Sequence, residues 1–286
     1  MSAPVQAIDA RAGANRRRPV QGVTGGVLLA VVAVVTLGAP LIAPYDPLTQ
    51  DLTSVLRPPS AEHPLGTDQL GRDVLSRVLF GGRTALGVSL VATLVATVIG
   101  VGLGVLAAFG GRWWDVTLGR LADVQLAVPG ILLALVVLAF AGSGLVPLVV
   151  VLALSAWVLT FRIARVHATF VAGQPYIEAA RIAGASTAAV VRRHVLPAVA
   201  PLVLVAATLT FSTVLLLESS LGFLGLGVQP PTPDWGEMVA SGQAQLAGAW
   251  WVSIFPGIAL VVVIVGVQLV GDRLAERFSV QGRAER

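Results

Sequence analysis

Residues 170–197 read Phe170-Val-Ala-Gly-Gln-Pro-Tyr-Ile-Glu-Ala-Ala-Arg-Ile-Ala-Gly-Ala-Ser-Thr-Ala-Ala-Val-Val-Arg-Arg-His-Val-Leu-Pro197. Gly173 breaks an incoming helix, and Pro175 suits the first turn of a new one. Glu178 follows where the positive end of the helix dipole favours an acid. Gly184 is a helix stop, Ser186 an N-cap for a second short helix, and Pro197 closes that helix before the next apolar run. The pattern predicts two short helices at an angle, forming a knob. Ala179, Ala180, Ala183 and Ala185 keep its surface small enough for a partner's groove to approach closely. The same residues also describe an amphipathic connector on a membrane surface, with Arg192 and Arg193 on phosphate headgroups.

The flanks of this stretch are apolar. Leu145–Val166 and Ala198–Gly222 each meet the requirement of about 20 apolar residues for a bilayer core. Four more stretches do the same: Val23–Ala43, Thr84–Phe109, Leu121–Ala141 and Trp250–Asp272. Gly142-Ser143-Gly144 forces a tight hairpin between the third and fourth. No stretch alternates with period two between regular turns, which argues against a β-barrel. The expectation is an all-α, polytopic membrane protein with six transmembrane helices.

Composition agrees. The 286 residues are 56% hydrophobic and 12% charged, with a mean hydropathy of +0.85. Soluble domains run near 25% charged, so an ordinary soluble fold is excluded. There is no cysteine, and all 19 basic residues are arginine. A Walker A loop needs its lysine on the phosphates, and a Schiff-base enzyme needs a lysine amine. The chain is therefore expected to be neither an ATPase nor a pyridoxal enzyme by itself.

Arginine placement orients the spans. With the N-terminus cytoplasmic, fifteen arginines fall inside and four (Arg57, Arg72, Arg77, Arg83) outside. Both termini are expected in the cytoplasm. Arg16–Arg18 precede the first span as in a signal peptide, but its apolar run exceeds the ~7–15 residues of a signal h-region. Pro44 after Ala43 also argues against cleavage, leaving an uncleaved anchor. Residues 1–22 form a basic tail attracted to anionic lipid. The sequence pI of about 10.8 reflects that topology rather than nucleic-acid binding.

Glu178-Ala179-Ala180, three residues, Gly184, then twelve residues to Pro197 resembles the EAA loop of permease subunits of bacterial ATP-binding-cassette importers. The resemblance implies a type I importer permease fold and a coupling loop, 170–197, seated in a cleft of a separate ATPase. Two further stretches resemble the C-type subunit of the dipeptide, oligopeptide and nickel permease family, over about residues 23–276. One is Ala43-Pro44-Tyr45-Asp46-Pro47 with His63-Pro-Leu-Gly-Thr-Asp-Gln-Leu-Gly-Arg-Asp-Val-Leu-Ser-Arg77. The other is Glu218-Ser-Ser-Leu-Gly-Phe-Leu-Gly-Leu-Gly-Val-Gln-Pro-Pro-Thr-Pro-Asp-Trp-Gly236. Ser219-Ser220 stands where many relatives carry Ala-Gly or Ala-Ser.

The resemblance implies four kinds of partner besides membrane lipid. They are a homologous permease subunit, two cytoplasmic ATPases carrying the ATP and Mg, an extracytoplasmic solute-binding protein, and the transported solute. That solute is a di- or oligopeptide, with nickel chelates, glutathione or another small solute as the alternative. No cofactor or metal is expected in this chain. The expected organisation is a tail (1–22), a first span with an extracytoplasmic segment (23–83), a five-helix permease core (84–276), and a cytoplasmic C-terminal tail (277–286).

Two sites outside the loop are singled out. Arg72 and Ser76, and Asp73 and Arg77, stand at i,i+4. With Asp68 they either fix a short helix against the second span or contact the binding protein. Glu218, an acid near the end of an apolar span, either lines the path or its outer gate, or bonds backbone freed by Gly222, Gly225 and Gly227. Gly100 and Gly104 form a GxxxG pair for close helix approach. Trp235, Trp250 and Trp251 suit the outer headgroup belt, and Trp113 and Trp114 the inner one.

Rival functions fare poorly. Gly184-Ala185-Ser186 resembles the serine motif of rhomboid proteases, with His167 or His194 as base, but it lies in an arginine-rich loop and not in a span. Three histidines and no HExxH do not make a metal site. A secondary carrier usually hides acids at mid-membrane, and here Asp123 and Asp272 sit only at span ends.

Overall fold

The computed structural model describes residues 23–142 and 144–284. The basic tail 1–22, Ser143 of the hairpin and the last two positions lie outside them. Among the described residues all regular structure is helical, and the one β contact is an isolated bridge between Thr67 and Asp73.

The chain opens with α1 (Val23–Leu37), broken at Gly38 and followed by α2 (Ala39–Ile42). After an irregular segment comes α3 (Val74–Phe109), 36 residues long. Asp73 caps it by accepting the Ser76 N–H at 2.8 Å, satisfying a donor that a helix start otherwise leaves bare. Next come α4 (Arg112–Ala127), α5 (Gly130–Ala141) and α6 (Leu145–Ala172).

The expected span Leu121–Ala141 is not one helix: α4 and α5 meet at 91°. Pro129 disfavours helical backbone at the residue before it, and Val128 is extended, with φ −100° and ψ 122°. The 12 residues of α5 reach only about 18 Å. Among the described residues there are thus four helices long and apolar enough to cross a membrane, or five if the bent pair counts as one.

The second half contains α7 (Pro175–Ile182), α8 (Thr187–Val190), a π-helical stretch (Val191–Val195) and α9 (Leu196–Phe223). Here a second expectation is corrected. Pro197 does not end a helix, because α8, the π stretch and α9 form one rod, Thr187–Phe223. Proline lacks an N–H for the carbonyl four residues back and crowds it; the wider π turn just before Pro197 accommodates both defects. The rod is followed by α10 (Trp235–Gly242) and α11 (Trp251–Ala284). The helix α11 runs through the boundary expected at residue 277, aided by an Arg273–Glu276 pair at 3.8 Å.

Packing follows the small residues. A Cβ on Gly100 would lie 2.7 Å from the Trp157 carbonyl oxygen, and one on Gly104 would lie 2.7 Å from the Ala164 Cβ. The ascending register of those contacts makes α3 and α6 parallel, joined at the expected GxxxG face. Gly102 faces open space. A second core gathers Trp235, Met238, Trp251 and Val252 against Val74 and Ala85. Trp235 and Trp251 are therefore core residues and not belt residues. Their indoles donate to Val78 O at 2.8 Å and Thr67 O at 3.0 Å. Trp250, Trp113 and Trp114 remain exposed.

Candidate functional site

At one end of the bundle, the 173–197 loop is built by local capping. Gly173 terminates α6, and Pro175 occupies the first turn of α7 with Glu178 in that turn. The helix ends as a Schellman motif: Gly184 N–H donates to Arg181 O and Ala185 N–H to Ala180 O, both at 3.0 Å. That closure needs a left-handed residue, and Gly184 has φ +89°. Ser186 then caps α8, its Oγ accepting the Ala189 N–H at 3.3 Å.

The loop is anchored by Ile177 and Val190, both fully buried with Ala164, Ala168 and Val199. Glu178, Ala179, Gly184 and Pro197 are exposed, and Ala180 is half-buried. Tyr176 and Ile182 also stand out of the surface. A small, partly apolar face carrying one acid is therefore presented on a stiff base. Beside it, α6, α9 and α11 enclose a cavity of about 920 Å³ bordered by Arg162, His167, Pro197 and Phe278. Ion pairs Arg162–Asp123 (2.7 Å) and Arg165–Asp115 (2.5 Å) tie α6 to α4 at the same end.

At the opposite end lies a buried polar network. Asp68 Oδ2 meets Arg72 Nε at 2.7 Å and Arg77 Nε at 3.4 Å, and Arg77 Nη2 meets Glu237 Oε2 at 3.1 Å. Asp73 takes His63 Nδ1 at 2.9 Å on one oxygen, and the Ser76 N–H and hydroxyl on the other. The expected Asp73–Arg77 and Arg72–Ser76 helical pairs are not formed. The helix begins only after Asp73, so residues 68–73 lack helical spacing. All four charged residues, Asp68, Arg72, Asp73 and Arg77, are buried within the chain.

Glu218 sits in the last turns of α9 and is 0% exposed. Its neighbours are the Ser219 hydroxyl, which donates at 3.2 Å, and the Asp234 carboxyl. It does not serve the backbone freed at Gly225 and Gly227. Gln229 Nε2 does that, at 3.2 and 3.1 Å. Burial holds the Asp234 carboxyl above the usual carboxylate range, opposed by Glu218 and by backbone N–H groups. Burial likewise raises Glu237, with Arg77 and Arg72 pulling the other way. Sequence reasoning overlooked Asp234 and Glu237, although Asp-x-x-Glu before an apolar run is a capping-box signal. Among the described residues, no three acids or histidines are placed to hold a metal.

Three comparisons bear on these two ends. Residues 100–280 match the family described as binding-protein-dependent transport system inner membrane component. Residues 21–59 match the N-terminal TM domain of oligopeptide transport permease C. The chain is 40% identical over 264 residues to the di/tripeptide transport system permease protein of Pseudomonas aeruginosa (strain UCBPP-PA14), covering 90% of this chain and 87% of that one. It is 33% identical over 254 residues to the dipeptide transport system permease protein of Alkalihalophilus pseudofirmus, covering 89% and 84%. It is 36% identical over 261 residues to the glutathione transport system permease protein of Escherichia coli O6:K15:H31, covering 91% and 86%. A solved inward-facing MetNI methionine ABC transporter chain superposes with a TM-score of 0.56 at 24% identity, covering 70% of this chain and 95% of that one. That last likeness concerns the fold alone.

Proposed function

The chain belongs to the family of binding-protein-dependent transport system inner membrane components, and on that premise we propose that it forms half of a path for di- and oligopeptides. It is a permease subunit of an ABC importer, a multi-pass protein of the inner membrane. A homologous permease supplies the other half of the path. Two cytoplasmic ATPases bind ATP and Mg, and an extracytoplasmic binding protein delivers the solute. Both termini and the 173–197 loop lie in the cytoplasm, on the arginine-rich side.

The observation that carries the coupling role is the loop itself. Exposed Glu178, Ala179 and Gly184 stand on a base locked into the bundle by Ile177 and Val190. A push on such a knob moves α6 and α9 together. Closure of the ATPases on ATP then biases the spans between two states through a stiff element. The buried Asp68–Arg72–Asp73–Arg77 cluster supports a packing role rather than direct contact with the binding protein.

The names of the peptide-permease relatives support the substrate class. The 36% identity to a glutathione permease favours a second reading, a peptide-like thiol as cargo. Mass spectrometry of the ligand co-purified with the partner binding protein separates the two. Peptides of mixed sequence support the first reading, glutathione alone the second, and a non-peptide solute refutes both.

A further inference from the structure

Glu218 and Asp234 bring together two elements that share no ion pair among the described residues. Glu218 belongs to α9, and Asp234 is the N-cap of α10, accepting the Glu237 N–H on Oδ2 at 3.1 Å. Both side chains are fully buried, and their carboxyl groups face each other, with Asp234 Oδ2 lying against Gly222, one turn along α9 from Glu218. One oxygen of each, Glu218 Oε1 and Asp234 Oδ1, has no donor. Buried polar atoms normally find a partner, and two carboxylates cannot supply one to each other. A single proton between the groups satisfies the contact.

No surrounding charge donates to either free oxygen. From α10 comes Glu237, another acid. From α3 comes Arg77, whose Nε and Nη2 face Asp68 and Glu237 and whose buried Nη1 donates to neither free oxygen, and Arg72 beyond it is paired with Asp68. The α5 helix carries no charged residue, and α11 carries none before Asp272. Asp234 faces the backbone N–H groups at the start of α10, which favour its anion. Glu218 has only a hydroxyl, so it is the better holder of the proton.

We propose that Glu218 donates a shared proton to Asp234 and that this hydrogen bond is the latch seating α10 on the end of α9. The seat itself is close. A Cβ on Gly222 would lie 2.5 Å from Asp234 Oδ2, and one on Gly236 would collide with the Ser219 carbonyl. Beside it α5, α9, α10 and α11 border a cavity of about 350 Å³ lined by Ile131, Ser219, Gly236, Val239 and Leu260. Removing the proton leaves two anions in contact away from water, a repulsive arrangement. The cavity gives α10 room to lift and water room to enter. Glu218 and Asp234 are thus positioning residues for this end of the path. The latch is read without substrate or ATP, so its failure leaves the transport assignment intact, and the reverse also holds.

The natural chain has no cysteine, so Ser220→Cys and Val239→Cys accept a spin-label pair across the seat. The full chain, assembled with its partner subunits in lipid nanodiscs, is measured from mildly acidic to alkaline pH. A short separation is expected in acid, with a longer population growing in alkali through one midpoint. Glu218→Gln, whose amide donates permanently, is expected to keep the short separation at every pH. Infrared spectra of the unlabelled complex at neutral pH should contain a protonated-carboxyl band that Glu218→Gln removes and Asp234→Asn shifts. A separation indifferent to pH in the otherwise native chain, or no buried protonated-carboxyl band, overturns the proposal. Both readings use the native carboxyls and stand even if a variant misfolds.

Discussion

Arg77 Nη2 lies 3.1 Å from Glu237 Oε2, bridging the first turn of α3 and the short helix α10 across 160 positions of chain. The guanidinium also faces Asp68, so one buried cation serves acids from two separate segments. Removing one member of a buried ionic set strands the others, at a cost of about 3–5 kcal/mol. Arg77→Ala is accordingly expected to lower the thermal midpoint of the detergent-purified chain sharply. Glu237→Gln, which keeps a polar partner for Arg77, should lower it much less. Thermal unfolding followed by tryptophan fluorescence checks both, and equal losses would contradict the arrangement.

The α3–α6 contact makes a position-specific prediction. Gly100→Val and Gly104→Val push a side chain into backbone or Ala164, and overpacking costs about 1–3 kcal/mol. Gly102→Val points into open space and should be neutral. Yield of folded chain by size-exclusion chromatography ranks the three, and a defect at Gly102 equal to that at Gly104 would refute the contact face.

The 173–197 loop responds to backbone conformation rather than to crowding. No atom lies within 4 Å of a Cβ placed on Gly184, whose φ is +89°. Gly184→Val therefore meets only backbone strain, of about 1–3 kcal/mol, whereas asparagine tolerates this region better. In proteoliposomes holding the chain assembled with its partner subunits, Gly184→Val and Glu178→Arg should retain ATP hydrolysis while transport falls several-fold, and Gly184→Asn should keep most of the transport. Transport and hydrolysis falling in strict proportion for all three would remove the lever assignment.

Asp51 gives a pH test on the irregular segment. Hydrogen bonds from Ser54 and Thr53 hold its carboxyl at about 2, below its ordinary 3.8. A folded value below the unfolded one means that the stabilisation is complete above 3.8 and is lost as pH falls through about 2. The protection of the Thr53 amide, which donates to the Asp51 carboxylate, should fall over that interval relative to its intrinsic exchange rate. Asp51→Asn should exchange faster already at neutral pH and lose the acid-dependent step.

The two ends of the molecule differ in how far they could be read beforehand. The loop was legible because its signals are local. Pro175 acts through its fixed φ and missing N–H at the helix start, Gly184 and Ser186 through hydrogen bonds within five residues, and each performs the role its type predicts. Pro197 misled for the complementary reason. Whether a proline ends a helix or is absorbed by a π turn depends on the rod that continues beyond it. The break at Val128-Pro129 was likewise hidden beneath an apolar composition that a straight span would share.

The sequence by itself determined that the chain is helical, belongs in a membrane, carries no ATPase lysine and presents a capped loop between two apolar runs. Those properties depend on composition, period and neighbours along the chain. Only the tertiary structure decided that Asp73 is a cap and not a helical ion pair, that Trp235 and Trp251 are core, and that Glu218 meets Asp234. Burial and electrostatic pairing depend on distances through space, and segments remote along the chain set those distances.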